Sequence, residues 1–136
     1  MLTRLIYASE ANQPLTSDIV QAIVDTARKW NVERNLTGMM VFDRRAFLQT
    51  LEGRREAVSE MFCRIATDRR HRRVLLLEVL PVDERLFPDW AMGFAATDAL
   101  GREQLPRYGV NESFDPHALT AGAALGLLRR LAQHAA

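Results

Sequence analysis

Apolar positions change period several times along the chain, and each change marks an element. From Leu2 to Ser9 they alternate, with Leu5, Tyr7 and Ser9 on one face and Arg4, Ile6 and Ala8 on the other, which is the period of a strand. Beyond a polar link through Pro14, the Thr16-Ser17-Asp18 cluster can cap a helix. Ile19, Val20, Ile23, Val24 and Ala27 then recur at helical spacing, with a predicted end near Trp30-Asn31. Two short apolar runs follow, 36–42 and 46–52, and the Asp43-Arg44-Arg45 link between them suits a tight antiparallel hairpin in which Phe47, Gln49 and Leu51 share a face. After Gly53, the positions Ala57, Val58, Met61, Phe62 and Ile65 outline a second amphipathic helix, ending in the turn 68–73.

The next strand, Val74 to Leu80, is apolar at almost every position and should stop at Pro81; such a run predicts a sheet covered on both faces. A short strand is expected around Trp90 to Ala96. The second cover should come from a helix opening at Asp115-Pro116 and carrying Leu119, Ala123, Leu127, Leu128 and Leu131. The order βαββαβ with an additional strand predicts an α+β, ferredoxin-like fold, with C-terminal helices packed on the other face of the sheet. That architecture hosts many unrelated activities and does not by itself assign one.

Composition narrows the classes. Apolar residues make up 48% and charged residues 26% of 136, an ordinary globular balance that fits one domain. Eighteen Lys+Arg against 17 Asp+Glu leave a net charge of +1, so no global field draws in nucleic acid or an anionic membrane, and neither is an expected partner. The single Cys63 excludes an intramolecular disulfide and a Cys-rich metal site. The N-terminus lacks a signal-peptide pattern and no 18-residue uncharged apolar run occurs, so a cytoplasmic protein is expected. No Gly-rich phosphate loop, Cys–His spacing or metal motif involving His71, His117 or His134 is present, and the chain is not expected to be an enzyme.

Tyr7 and Gln49 are the polar residues that a plain core does not explain. Each sits among apolar neighbours on its strand, and a buried Gln must satisfy two donors and an acceptor or lose about 1–3 kcal/mol for each orphan group. On pattern alone, a satisfied Tyr–Gln or Gln–backbone hydrogen bond in an ordinary core is the commoner explanation, ahead of a functional pair.

Five segments add to this pair. Leu5-Ile6-Tyr7-Ala8-Ser9, Asn35-Leu36-Thr37-Gly38-Met39-Met40, Phe47-Leu48-Gln49-Thr50-Leu51-Glu52-Gly53, Asp68-Arg69-Arg70-His71-Arg72 and Phe87-Pro88-Asp89-Trp90-Ala91-Met92-Gly93-Phe94 occur in this order. Together they resemble the motif series of BLUF domains, the blue-light sensors that use FAD. The resemblance covers residues 2 to 97. It implies a flavin-binding domain over 1–97, and a helical extension over 98–136 packed on the same domain, as in short members of that family.

The resemblance further implies a flavin between the two helices with its ring edge toward Tyr7 and Gln49. Tyr7 would act as light-driven donor of an electron and a proton, and Gln49 as the amide that rotates or tautomerises. Asn31 matches the family's contact to the flavin pyrimidine edge, while Trp30 stands where a second polar residue is common. Arg70 and His71 are implied at the ribityl and phosphate portion, and Trp90 and Met92, expected on one face of the last strand, as output residues. With no effector domain in the chain, the signal is expected to pass in trans to a downstream protein through the last strand and C-terminal helices, and a homo-oligomer is compatible with that scheme. The rival expectation is a ferredoxin-like RNA-binding or protein-interaction module without photochemistry, for which strand 46–52 offers only Phe47 as an aromatic.

Overall fold

The alternating N-terminal segment forms β1 (Leu2–Ala11), which lies inside the sheet between two antiparallel neighbours, so both sets of its side chains are buried. The computed structural model describes residues 1–101, 104–110 and 113–135. The other strands are β2 (Thr37–Phe42), β3 (Ala46–Arg54), β4 (His71–Val82) and β5 (Gly93–Ala96), in the sheet order β4-β1-β3-β2-β5. All neighbours are antiparallel except β5, which runs parallel to β2. This is the expected α+β, ferredoxin-like arrangement with one strand added beyond β2.

Helices α1 (Ser17–Glu33) and α2 (Arg55–Ala66) cover one face. Val20, Val24 and Ala27 of α1 and Val58 and Met61 of α2 form a core with Leu5, Tyr7, Met40, Phe47 and Leu51. The opposite face packs Ile6, Met39, Val41 and Leu48 against Leu127, Leu128 and Leu131 of α3 (Ala121–Ala132). Those three leucines are fully buried and each contributes about 1.5–3 kcal/mol by leaving water. Of the predicted extension 98–136, residues 102–103, 111–112 and 136 lie outside the described residues.

Several boundaries differ from the sequence expectation, and three of them have a plain local reason. Helix α1 is capped as expected, with Thr16 Oγ1 accepting from the Ile19 amide at 3.3 Å, but it continues to Glu33. It ends where Asn35 takes a left-handed φ of 53°, a conformation asparagine tolerates better than most residues. Strand β4 passes through Pro81 to Val82, because it lies at the sheet edge, where a missing amide hydrogen breaks no ladder bond. Asp115-Pro116 starts only a 3₁₀ turn, 116–118. Leu119 is then extended, and α3 begins after a second cap in which Thr120 Oγ1 accepts from the Ala123 amide at 3.1 Å.

A further difference concerns the cover of β4. Its apolar run predicts cover on both faces, and β1 and β3 have that cover, yet β4 itself is the half-exposed edge.

Candidate functional site

Antiparallel pairing of β1 with β3 sets Tyr7 directly opposite Gln49, and pairing of β3 with β2 sets Met40 on the other side of Gln49. Directly opposed residues share a face, so the three side chains form a row under α1 and α2. Tyr7 and Gln49 are both buried, and the phenol donates its hydrogen to Gln49 Oε1. The other end of the amide is held too: Gln49 Nε2 donates to Met92 Sδ at 3.3 Å. One amide thus joins a phenol to a thioether.

Burial pushes the Tyr7 phenol well above the ordinary tyrosine range, and the Asp68 carboxylate adds to the effect. Tyr7 therefore keeps its proton at any physiological pH, poised on the Gln49 oxygen.

A cleft with about 660 Å³ of empty space, part of it open to solvent, separates the two helices above this row. Ile23, Val24 and Ala27 of α1 and Met61 and Ile65 of α2 form apolar walls; Tyr7, Gln49 and Met92 line it as well. Arg64, Asp68, Arg70 and His71 add a polar lining. Such a slot, mostly apolar with a few convergent polar groups, suits a planar ligand with a charged tail.

The remaining sequence-predicted residues occupy different places. Arg70 lines the cleft with its side chain 43% exposed and forks onto Asp68, with Nε 3.1 Å from either carboxylate oxygen and Nη2 2.6 Å from Oδ2. That contact holds the Asp68 carboxyl below its usual range. His71 also lines the cleft, but both ring nitrogens have protein partners: Nε2 donates to the Ile65 carbonyl, and Nδ1 lies 3.0 Å from Ser9 Oγ. A neutral ring with its hydrogen on Nε2, accepting from Ser9, satisfies both bonds. Asn31 is fully buried. Its Nδ2 donates to the Ala91 carbonyl at 2.6 Å and its Oδ1 has no partner.

Trp90 and Met92 do not share a strand face. Strand β5 starts at Gly93, and the two residues precede it in an irregular segment where strand parity does not apply. Met92 is buried in the α1/α2 core, whereas Trp90 packs against the core under α3. Gly38 lets Met92 reach the amide. A Cβ there would sit 2.2 Å from the Thr50 carbonyl oxygen and 3.3 Å from Met92 Cε.

Three features of the site escape the sequence pattern. Met40 is an ordinary strand residue until register places it beside Gln49. Trp30 lines the cleft, with the guanidinium carbon of Arg34, four residues on, 3.2 Å from its ring centroid and that of Arg64 on α2 at 3.8 Å, the latter a contact that spacing within one helix does not reveal. Glu52, fully buried at the far end of β3, accepts from Arg4 Nε at 2.9 Å and from the amides of Leu86 and Phe87 at 2.9 and 2.8 Å. It clamps the start of the segment that delivers Met92. An acid closing the apolar run 46–52, three residues before α2, is the available signal.

A family model described as "Sensors of blue-light using FAD", BLUF, matches residues 2–93. The chain belongs to the BLUF family. Among solved structures, the ground state of BlsA superposes with a TM-score of 0.82 at 29% identity, covering 97% of this chain and 88% of that one. The dark state of BlrB, a BLUF protein, gives 0.76 at 30% identity, covering 98% and 96%. Among curated relatives, the photoactivated adenylate cyclase subunit beta of Euglena gracilis is 35% identical over 100 residues, which are 73% of this chain and 12% of the relative. The chain therefore spans only about a tenth of the length of the cyclase subunits it matches, 12% of one and 8% of another.

FAD is the chromophore of this BLUF domain, and the residues present fit it. Among the described residues, the buried side-chain polar atoms without a partner are Trp30 Nε1 and Asn31 Oδ1, a donor and an acceptor on adjacent positions of α1, of which Trp30 lines the cleft and Asn31 does not. A flavin pyrimidine edge offers carbonyl acceptors and an N–H donor, which complement that pair.

The RNA-binding alternative loses its basis. Phe47 is buried, and the central strands are covered on both faces, so no aromatic stacking platform faces solvent there. Among the described residues no cluster of three His, Cys, Asp or Glu side chains could hold a metal ion, and no helix is long and apolar enough to cross a membrane.

Proposed function

We propose that Tyr7 and Gln49 are the photoactive pair of this blue-light sensor, and that Met92 and Trp90 carry the change to a downstream protein acting in trans in the cytoplasm. The observation that supports this most directly is the Gln49 amide held between Tyr7 Oη and Met92 Sδ. FAD, when bound, supplies blue-light absorption and, in its excited state, a transient demand for an electron. Tyr7 would supply that electron, and its hydroxyl proton would leave along the bond to Gln49. Both return to the phenol at the end of the cycle, so no net redox change remains.

Gln49 retains the record. A half-turn of the amide presents Nε2 to Tyr7 and Oε1 to Met92; a carbonyl oxygen cannot donate to a thioether, so the bond to Sδ is lost. Tautomerisation alters the same two contacts. Met92 is thereby released from one of its tethers, while Arg28 Nε still holds its carbonyl at 3.0 Å and Asn31 holds that of Ala91. Trp90, two residues earlier, lies against the core containing Leu127, Leu128 and Leu131. A shift at Met92 so reaches α3 across the sheet through one short segment, with 98–136 serving as the output extension. Asn31 and Trp30 would hold the flavin ring, and Arg70 and His71 would border its ribityl and phosphate portion.

The test is the absorbance spectrum of the purified protein before and after blue light. A reversible red shift is expected, and Tyr7→Phe should keep the yellow flavin while losing the shift. A full shift in that variant would refute the role of Tyr7.

A further inference from the structure

Strand β4 is the feature the sensor reading leaves unexplained. It is twelve residues long and pairs with β1 on one side only. Leu75, Leu76 and Val79 are 43%, 46% and 49% exposed, three of the five large hydrophobic residues exposed among those described. Edge strands are ordinarily protected by lysines, central prolines or a covering element. Here Pro81 stands one residue from the end, and no lysine occurs in the strand.

Charge is segregated along the same strand. Arg72 and Arg73 lie at its start, 67% and 59% exposed and both paired with the single carboxylate of Glu10, and Glu78 lies toward its end without an ion-pair partner among the described residues. Pairing with β1 fixes the face of each residue. Arg72, Leu75 and Glu78 stand opposite Glu10, Ala8 and Ile6, on the α3 side; His71, Leu76 and Val79 stand opposite Ala11, Tyr7 and Leu5, on the flavin side. Val74 packs into the flavin-side core.

The geometry points to an isologous dimer in which β4 pairs antiparallel with β4 of a second copy, centred on Leu75. With Leu75 opposite its own counterpart, Arg72 faces Glu78, Val74 faces Leu76 and His71 faces Val79, and every one of these pairs matches in face. Shifting the register by one residue sets Leu75 against Leu76, whose side chains lie on opposite faces. Two-fold symmetry makes the Arg72–Glu78 pair twice, supplies Glu78 with its missing cation and joins the two sheets into one of ten strands. This surface depends on neither flavin nor light, so it can fail without affecting the sensor assignment.

The experiment uses the flavin-loaded 136-residue chain. Sedimentation velocity over a dilution series should show a monomer–dimer equilibrium. Glu78→Arg should weaken the dimer at least about tenfold, as unlike charges become like charges, and Arg72→Glu combined with Glu78→Arg should restore it. Independently, Leu75→Cys in a Cys63→Ser background should form an intermolecular disulfide on mild oxidation, since opposed Cα atoms about 4.5–5.5 Å apart lie within disulfide reach. Val79→Cys should not, because its symmetry mate would lie roughly 25 Å away along the strand. A chain that stays monomeric at all concentrations up to about 1 mM, or a dimer that ignores the charge reversal and leaves Leu75→Cys uncrosslinked, overturns the proposal.

Discussion

Glu52 offers a direct test of what holds the segment from Leu86 to Met92 in place. Its carboxylate is fully buried and collects Arg4 Nε at 2.9 Å, the Leu86 amide at 2.9 Å and the Phe87 amide at 2.8 Å. Glu52→Leu keeps the volume roughly constant but leaves a guanidinium that is 10% exposed without its counter-ion, a loss worth about 3–5 kcal/mol. It also strips two amides of their acceptor, each worth about 1–3 kcal/mol if no water reaches it. These losses overlap, and a destabilisation of roughly 4–6 kcal/mol is expected, close to the whole stability of a marginal domain. Glu52→Gln keeps one acceptor oxygen in place and should lose about half as much. Urea unfolding followed by far-UV circular dichroism measures both. Leu86 and Phe87 open the segment that ends at Met92, so Glu52→Gln should in addition alter the rate of dark recovery. A loss below about 1 kcal/mol for Glu52→Leu would show that the clamp contributes nothing net, as when burial of the ion pair costs as much as its contacts return.

Two further outcomes follow from the site. Burial raises the pKa of Tyr7 in the folded chain, so its contribution to stability is complete below the ordinary tyrosine pKa of about 10 and declines by about 1.4 kcal/mol per pH unit above it, as the unfolded phenol ionises and the folded one does not. Denaturant midpoints from pH 9 to about 11.5 should therefore fall more steeply for the native chain than for Tyr7→Phe, and parallel curves would contradict a buried, protonated phenol. Met92→Leu conserves volume and should cost less than about 1.5 kcal/mol of stability, yet it removes the acceptor for Gln49 Nε2. Losing about 1 kcal/mol from the dark arrangement should slow recovery after illumination by up to about fivefold, read as relaxation of the red-shifted absorbance. An unchanged or faster relaxation would show that the amide does not depend on the sulfur.

Local period made the elements legible, and register accounts for most of what was not. Alternation placed Leu5 and Tyr7 on one face and Phe47, Gln49 and Leu51 on another, and the structure merges these into a single core under α1 and α2. The two faces are the same because Tyr7 stands opposite Gln49, a fact about pairing that neither strand carries alone. Pro81 and the apolar run before it misled for one shared reason: strand rules assume a position in the sheet, and β4 is an edge, where proline is tolerated and leucine need not be covered. Asp115-Pro116 has the form of a helix start, but Thr120 offers a second cap five residues on, and the helix uses the later one. Trp90 and Met92 could not be placed by parity because the chain bends between them and β5.

In the proposed mechanism, that bend would let a local amide event leave the flavin side of the sheet. A straight strand through residues 90 and 92 would put both side chains on one face, and a change at Met92 would stay among α1 and α2. The irregular segment instead sends Met92 to the Gln49 amide and Trp90 to the core of α3, with Gly93 accommodating the crossing: a Cβ there would lie 2.7 Å from the Trp90 ring. Tethers bracket the segment, with Glu52 at its start and Arg28 and Asn31 at its end, so the freedom left to it is small. Gln49 Nε2 is one of the few contacts that a turn of a single side chain can remove. On the proposed mechanism, the Tyr7–Gln49–Met92 row would need no large motion to be felt on the opposite face; the loss of one hydrogen bond that the surrounding tethers cannot absorb would suffice.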